Sequence, residues 1–336
     1  MHKIGILGAG LISRSHAESI RSLDNAVLTA VADIREEAGQ RFADEYGCAY
    51  YQDADELLKQ ADVEVVIIAL PTFLHGKYVE LCAQYGKHVL CEKPVEMTVE
   101  ATQRMLDQVK EAGIIFMVGQ VVRFWSGYTE IKELYESGEL GQVHMAFASR
   151  CSTLPDWGNE WLLHPEKGAG AICDMHVHDV DFLRDLFGEI DSVYCLANKD
   201  HTGCWNHAMS SISFKSGEKA VAEAAFTMSD GYPFTMFFKA AGTKGTVEFT
   251  YKAGYNIGER DASTSELRLY QKNRQPVIRK LEQHDPYANQ LRYFLSCVDA
   301  GEQPARVPHQ ENLEVIRAIA AIRESAETGE ILTLTS

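Results

Sequence analysis

The chain has 336 residues, 46% of them hydrophobic and 24% charged, enough apolar side chain for a packed core and too much for a disordered polymer. Its 48 acidic residues against 32 basic ones leave a formal charge of −16, the opposite of what a phosphate-backbone binder carries, so no nucleic acid is expected as partner. At roughly 100–200 residues per domain, the length fits two domains or one large elaborated one.

Residues 3–7 read as a strand that ends in glycine, and 11–21 follow at helical spacing. A strand over 27–32 ends at Asp33, and a helix over 36–46 is closed by Gly47. The unbroken apolar run 63–70 fits a strand buried on both faces. A helix over 76–85 stopping at Gly86, a strand over 88–91, a helix over 99–112 and a strand over 114–118 complete the series. Strands alternating with helices imply a Rossmann-type, doubly wound parallel sheet over 1–122. Beyond that point β-type runs dominate, at 142–151, 192–198, 208–214, 220–228 and 235–241. Helical segments at 128–137, 177–186 and 312–328 interrupt or follow them. The fold class is therefore α/β followed by α+β, with 123–336 forming a mainly antiparallel open-sheet domain.

Eight cysteines lie scattered without a C-x-x-C pair, as reduced core thiols do, and not as a disulfide framework or zinc ribbon. No apolar run reaches the ~18 residues of a membrane span, and no signal-like leader opens the chain. A cytoplasmic protein with no membrane partner is the expectation.

Gly8-Ala9-Gly10-Leu11-Ile12-Ser13 joins the first strand to the first helix. Gly8 permits a tight turn, Gly10 lets backbone approach a pyrophosphate, and the helix start at Leu11 and Ile12 supplies free N–H groups. Asp33 stands roughly 20 residues further on, where an acid can bond a ribose hydroxyl. A carboxylate there favours NAD; Arg35 nearby leaves NADP possible, since a guanidinium can hold a 2′-phosphate. Cys91-Glu92-Lys93-Pro94 follows a strand end, so Lys93 either faces the cofactor crevice or is an ordinary loop lysine.

In the run 168–181, small residues lead into a helix carrying Asp174 and His178 four positions apart, on one face. A carboxylate can orient an imidazole and raise its basicity, as a general base requires. Two other readings stand beside this one. His176, His178, Asp174 and Asp179 include metal-competent ligands, although no metal is the preferred expectation. The same residues could also serve only as helix caps.

Together these segments resemble the Gfo/Idh/MocA family of NAD(P)-dependent oxidoreductases. The resemblance rests on Gly8-Ala9-Gly10, Pro71-Thr72-Phe73-Leu74-His75, the run 86–94 ending in Glu92-Lys93-Pro94, the cluster 168–181, and 242–248. It implies that Lys93, Asp174 and His178 are the catalytic lysine, aspartate and histidine, with His178 as general base. It further implies that Pro71, Thr72 and His75 form the loop beside the cofactor and that Glu92 lies near the nicotinamide ribose. Arg123 and Trp161 would line the substrate pocket. His176 departs from the family pattern, which has glycine there. Phe124, Trp125, Trp157 and Trp161 offer surfaces for a sugar or cyclitol ring, or else pack in the core.

The implied activity is hydride transfer between nicotinamide and a secondary alcohol of a sugar, sugar derivative or cyclitol. An NAD-dependent glycosidase working through transient oxidation would need the same residues; a non-catalytic NAD-binding regulator is a further alternative, against which the intact Lys93, Asp174 and His178 count. A homodimer or homotetramer, formed through the C-terminal sheet, is also implied.

Overall fold

The short apolar strands and amphipathic helices of the first third wind into one parallel sheet in the computed structural model, which describes residues 1–155, 161–253, 263–281 and 284–334. Its elements are β1 (His2–Leu7), α1 (Leu11–Arg21), β2 (Ala26–Ala32), α2 (Glu36–Tyr46), β3 (Ala49–Tyr51) and α3 (Ala54–Gln60). They continue with β4 (Val65–Ile68), α4 (His75–Gln84), β5 (His88–Cys91), α5 (Val99–Ala112) and β6 (Phe116–Val118). The strand order is β3-β2-β1-β4-β5-β6, and every pairing is parallel. Val65–Ile68 are buried along their whole length, as a strand covered on both faces must be. The chain reverses direction across the sheet between β1 and β4, paired from Ile4↔Val65 to Leu7↔Ile68. Open α/β sheets bind ligands outside the strand ends at such a reversal.

Beyond β6 the chain forms α6 (Ser126–Glu136), β7 (Val143–Thr153), α7 (Ala171–Asp174), α8 (His176–Phe187), β8 (Ile190–Lys199), β9 (Trp205–Phe214) and β10 (Lys219–Met228). After these come β11 (Thr235–Gly242), β12 (Gly245–Lys252), β13 (Thr264–Gln271) and β14 (Val277–Arg279), then α9 (Pro286–Ala300), α10 (His309–Thr328) and β15 (Leu332–Thr333). Among the described residues one nine-stranded sheet forms in the order β14-β13-β12-β11-β7-β10-β9-β8-β15. It is antiparallel except where β10 runs parallel to β7, because the intervening helices carry the chain across one face. That face is packed with rings: Tyr128 lies 4.7 Å from Phe182 and 5.3 Å from Phe249. A Cβ on Gly127 would fall 2.2 Å from the Phe249 ring, so glycine is required for this approach. The opposite face is open, with Met145, Leu196 and Met209 exposed on it.

The chain divides into two compact units, Met1–Phe124 with His284–Leu313, and Trp125–Gln283 with Glu314–Ser336. In the first, the late segment finishes the sheet at its edge. The Gln303 side-chain oxygen accepts the Phe116 N–H (3.2 Å), and its amide nitrogen donates to the Ile114 carbonyl (2.7 Å). With His309 Nε2 3.0 Å from the Phe116 carbonyl, two side chains thus supply what a neighbouring strand would have offered β6.

Candidate functional site

In the first unit, the β1–α1 turn has the shape a dinucleotide demands. Gly8 sits at φ +101°, and a Cβ there would lie 2.5 Å from the Ala69 carbonyl oxygen. Gly10 is different: a Cβ would meet nothing within 4 Å, so it borders open space. Gly10 is also the N-cap of α1 and offers no capping side chain, which leaves the amides at Leu11 and Ile12 available to an anion. Asp33 is buried at the end of β2. Its Oδ2 accepts the Ala9 N–H at 2.8 Å and its Oδ1 the Arg35 N–H at 2.8 Å. The Arg35 guanidinium folds over the same carboxylate at 3.0–3.1 Å, while most of its side chain remains exposed. Burial pushes the Asp33 carboxyl up, but the bonds from Arg35 and Ala9 outweigh it and hold the group below the usual carboxylate value. These residues fit a dinucleotide: a tight turn at Gly8 that admits no Cβ, open space beside Gly10, an uncapped helix start and an ionised acid.

The loops after β4 and β5 are tied together by His75. This histidine is fully buried, with Nδ1 2.8 Å from the Pro94 carbonyl and Nε2 2.9 Å from the Leu70 carbonyl. Burial lowers its pKa, against the two carbonyl contacts, which favour the proton. A neutral imidazole donates to one of the two at a time. Pro71 precedes a turn of 3-10 helix at Thr72–Leu74, and Thr72 is buried within it. The Lys93–Pro94 peptide bond is cis.

Glu92 is buried, and its Oε1 lies 2.7 Å from Nε2 of the fully buried His16 on α1. Its Oε2 accepts the Lys93 N–H at 3.3 Å. Burial raises this carboxyl; the His16 bond and charge, then the Lys93 charge, more than reverse the effect. Sequence reasoning missed His16. Its signal was available, a histidine on the buried stripe of α1 beside a motif that supplies a carboxylate. Arg123 is also buried, and its Nη1 donates to the Arg306 carbonyl at 3.0 Å. Arg306 returns a bond to the Arg123 carbonyl and lies 4.3 Å above the Phe124 ring.

In the second unit, every residue from Gly168 to Arg184 is buried except Asp174 and His178. Acid and imidazole are therefore the two polar groups that this segment presents. The single helix expected through both is interrupted: α7 ends at Asp174 and α8 begins at His176, with Met175 still in the right-handed region between them. The His178 N–H reaches back only to the Met175 carbonyl (3.2 Å), a three-residue tightening that marks the junction. Behind α8, Arg150 of β7 donates to both Asp179 oxygens at 3.1 Å and to the Tyr128 hydroxyl at 3.3 Å. Burial works against the Arg150 charge, but Asp179 outweighs it and raises the pKa. His176 is wholly buried and bonds Ser210 Oγ through Nε2 (2.8 Å). Burial, and then the nearby Arg150 charge, depress its pKa to about 4, so it is neutral at physiological pH. Among the described residues no group of three or more His, Cys, Asp or Glu is placed to hold a metal ion.

Trp161 is half-buried in the turns leading to Gly168. Trp125 packs edge-on against Tyr251 at 5.0 Å. Trp157 lies outside the described residues. No helix among them is long and apolar enough to cross a membrane.

Residues 2–120 match the family model described as oxidoreductase family, NAD-binding Rossmann fold, and 128–248 match the GFO/IDH/MocA C-terminal domain. A myo-inositol 2-dehydrogenase of Thermotoga maritima is 27% identical over 98% of both chains. A D-xylose 1-dehydrogenase (NADP(+)) of Haloferax volcanii is 29% identical over 98% of this chain and 99% of its own. The crystal structure of aldose-aldose oxidoreductase from Caulobacter crescentus superposes with a TM-score of 0.86 at 24% identity, covering 99% of each chain, a likeness of fold.

Proposed function

The chain belongs to the GFO/IDH/MocA family of NAD-binding oxidoreductases, and from that premise we propose that it is a dehydrogenase for a secondary alcohol of a sugar or cyclitol. The observation that carries this reading is the otherwise buried segment 168–184, in which only Asp174 and His178 are partly exposed. It is supported by full-length relatives that carry inositol and xylose dehydrogenase names. Those names favour a dehydrogenase over a glycosidase working by transient oxidation.

The bound nicotinamide supplies an acceptor for the hydride that leaves the substrate carbon. Gly8, Gly10, Leu11 and Ile12 would take the pyrophosphate on backbone N–H groups, with Pro71, Thr72 and His75 along the adjoining loop. Asp33 would accept from the ribose hydroxyls. Arg35 would release Asp33 and turn outward to meet a 2′-phosphate, so NAD is the preferred cofactor and NADP a tolerated one. Glu92, held by His16, would fix the backbone at Lys93. The Lys93 ammonium would donate to the reacting oxygen and favour its negative charge as the bond order changes. His178 would take the hydroxyl proton at an imidazole nitrogen, and Asp174 would orient the substrate or that imidazole. Arg123 and Trp161 are assigned to the substrate side.

A panel of myo-inositol, D-xylose and D-glucose with NAD or NADP, followed by absorbance of the reduced cofactor, tests the reading. Lys93→Ala and His178→Ala should abolish turnover while NADH still binds. Undiminished turnover in both variants would refute the assignment. The open face of the second unit's sheet, with Met145, Leu196 and Met209 exposed, is assigned to pairing with further copies in a dimer or tetramer. Sedimentation at a single-chain mass would overturn that assignment. A cytoplasmic location accords with eight free cysteines.

A further inference from the structure

Helix α7 is a single turn of four residues that carries Asp174 at its end. A turn this short does not hold itself in water, so its position depends on what grips its first residues. Gly170, just ahead of it, has φ +70° and ψ −151°, a conformation essentially confined to glycine, and provides no cap. A Cβ there would lie 2.2 Å from Asn206 Oδ1. The cap comes instead from β9, far along the chain: Asn206 Oδ1 accepts the Ala171 N–H at 3.1 Å. The Asp174 N–H in turn donates to the Gly170 carbonyl at 3.0 Å.

Asn206 is fully buried, and its amide can face only one way. Its Nδ2 donates to Asp200 Oδ2 at 2.9 Å and to Thr202 Oγ1 at 3.3 Å. Asp200 Oδ1 accepts the Thr202 N–H at 2.9 Å and also the Thr202 hydroxyl. An ionised carboxylate only accepts, so the amide nitrogen must face Asp200 and the amide oxygen must face Ala171. Acid, amide and helix start thus form a directed chain with every buried polar group satisfied.

We infer that Asn206, oriented by Asp200, is a positioning residue that sets Asp174 for the reaction. The inference rests on the reading that Asp174 acts on substrate or on the base; Asn206 itself touches no reacting group. Loss of the cap leaves the Ala171 N–H without its acceptor and frees the turn that carries Asp174. A displacement of about 1 Å at a reacting group can cost on the order of a hundredfold in rate.

The test compares Asn206→Leu, Asp174→Asn, their double variant, and the exchanged pair Asp200→Asn with Asn206→Asp. Each is assayed for NAD reduction with whichever of myo-inositol, D-xylose or D-glucose turns over fastest. Asn206→Leu should lower kcat by roughly 10–100-fold with KM and NADH affinity nearly unchanged, and should add little to Asp174→Asn. The exchanged pair restores one donor and one acceptor at each end, and should return kcat to within about threefold of the parent. If Asn206→Leu keeps its kcat while Asp174→Asn loses it, the inference is overturned and the reading of Asp174 stands. If Asp174→Asn keeps full activity, the reading itself has failed. Should Asn206→Leu not fold, Asn206→Asp alone is set against the exchanged pair. A folded exchanged pair no faster than that single variant overturns the inference.

Discussion

His176 ought to make the protein's stability depend on pH in a way that can be calculated. The ring is fully buried, bonds Ser210 through one nitrogen, and stands near the Arg150 charge. Its pKa falls from 6.5 to about 4, with burial the main cause. The folded chain therefore keeps the ring neutral, whereas the unfolded chain protonates it below about pH 6.5. Between these values the unfolded state binds more protons, so stability is complete above about pH 6.5 and is lost as pH falls toward 4. At ~1.4 kcal/mol per pH unit the gap corresponds to roughly 3 kcal/mol. Urea unfolding of the parent and of His176→Gln, from about pH 7 down to about pH 4.5, would measure it. The parent's advantage over the variant should shrink by roughly 2–3 kcal/mol across that range. An advantage that stays constant with pH would show that His176 is not held neutral by the fold, and would refute the reasoning.

Two further outcomes follow from the packing. Asp179→Ala leaves the Arg150 guanidinium buried without its carboxylate and should cost about 3–5 kcal/mol in urea unfolding, whereas Arg150→Met with Asp179→Leu should recover most of that. A loss under about 1 kcal/mol in the single variant would contradict the ion pair's geometry. Gly10→Ala, where a Cβ meets nothing, should fold with stability unchanged or raised by ~0.5 kcal/mol yet bind NADH at least about tenfold more weakly. Equal NADH affinity, read by fluorescence titration, would remove Gly10 from the cofactor cradle.

Local order made much of the architecture readable in advance. The helices 11–21, 36–46 and 99–112 and the strand 88–91 coincide with the observed elements; the apolar pattern marks all four, and Gly47 and Gly113 stop the second and third helices. Strand β3 and helix α3 went unread. A three-residue strand has no period to detect, and α3 is announced mainly by the Asp53 cap on Asp55 and Glu56. The parallel β7–β10 pairing was equally invisible, since pairing partners far apart in sequence leave no local trace. The same limit applies at the candidate site. Gly8, Gly10 and Asp33 were evident from spacing, but the Arg150–Asp179 pair and the Asp200–Asn206–Ala171 chain connect residues that only tertiary structure brings together.

The closing of the first sheet's edge by Gln303 has a consequence for the order of events during synthesis. The ribosome delivers all of β1 to β6 by residue 118, yet the segment His284–Leu313 that belongs to that unit emerges about 160 residues later. At a few to some twenty residues per second, this delay is on the order of ten seconds or more. Throughout it the nascent Rossmann sheet presents the unpaired Phe116 N–H and Ile114 carbonyl at an apolar margin. Residues Trp125–Gln283 of the second unit are made in that interval, so the nascent chain passes through a window in which a chaperone holdase, or a neighbouring polysome chain, can reach the edge before Gln303 does.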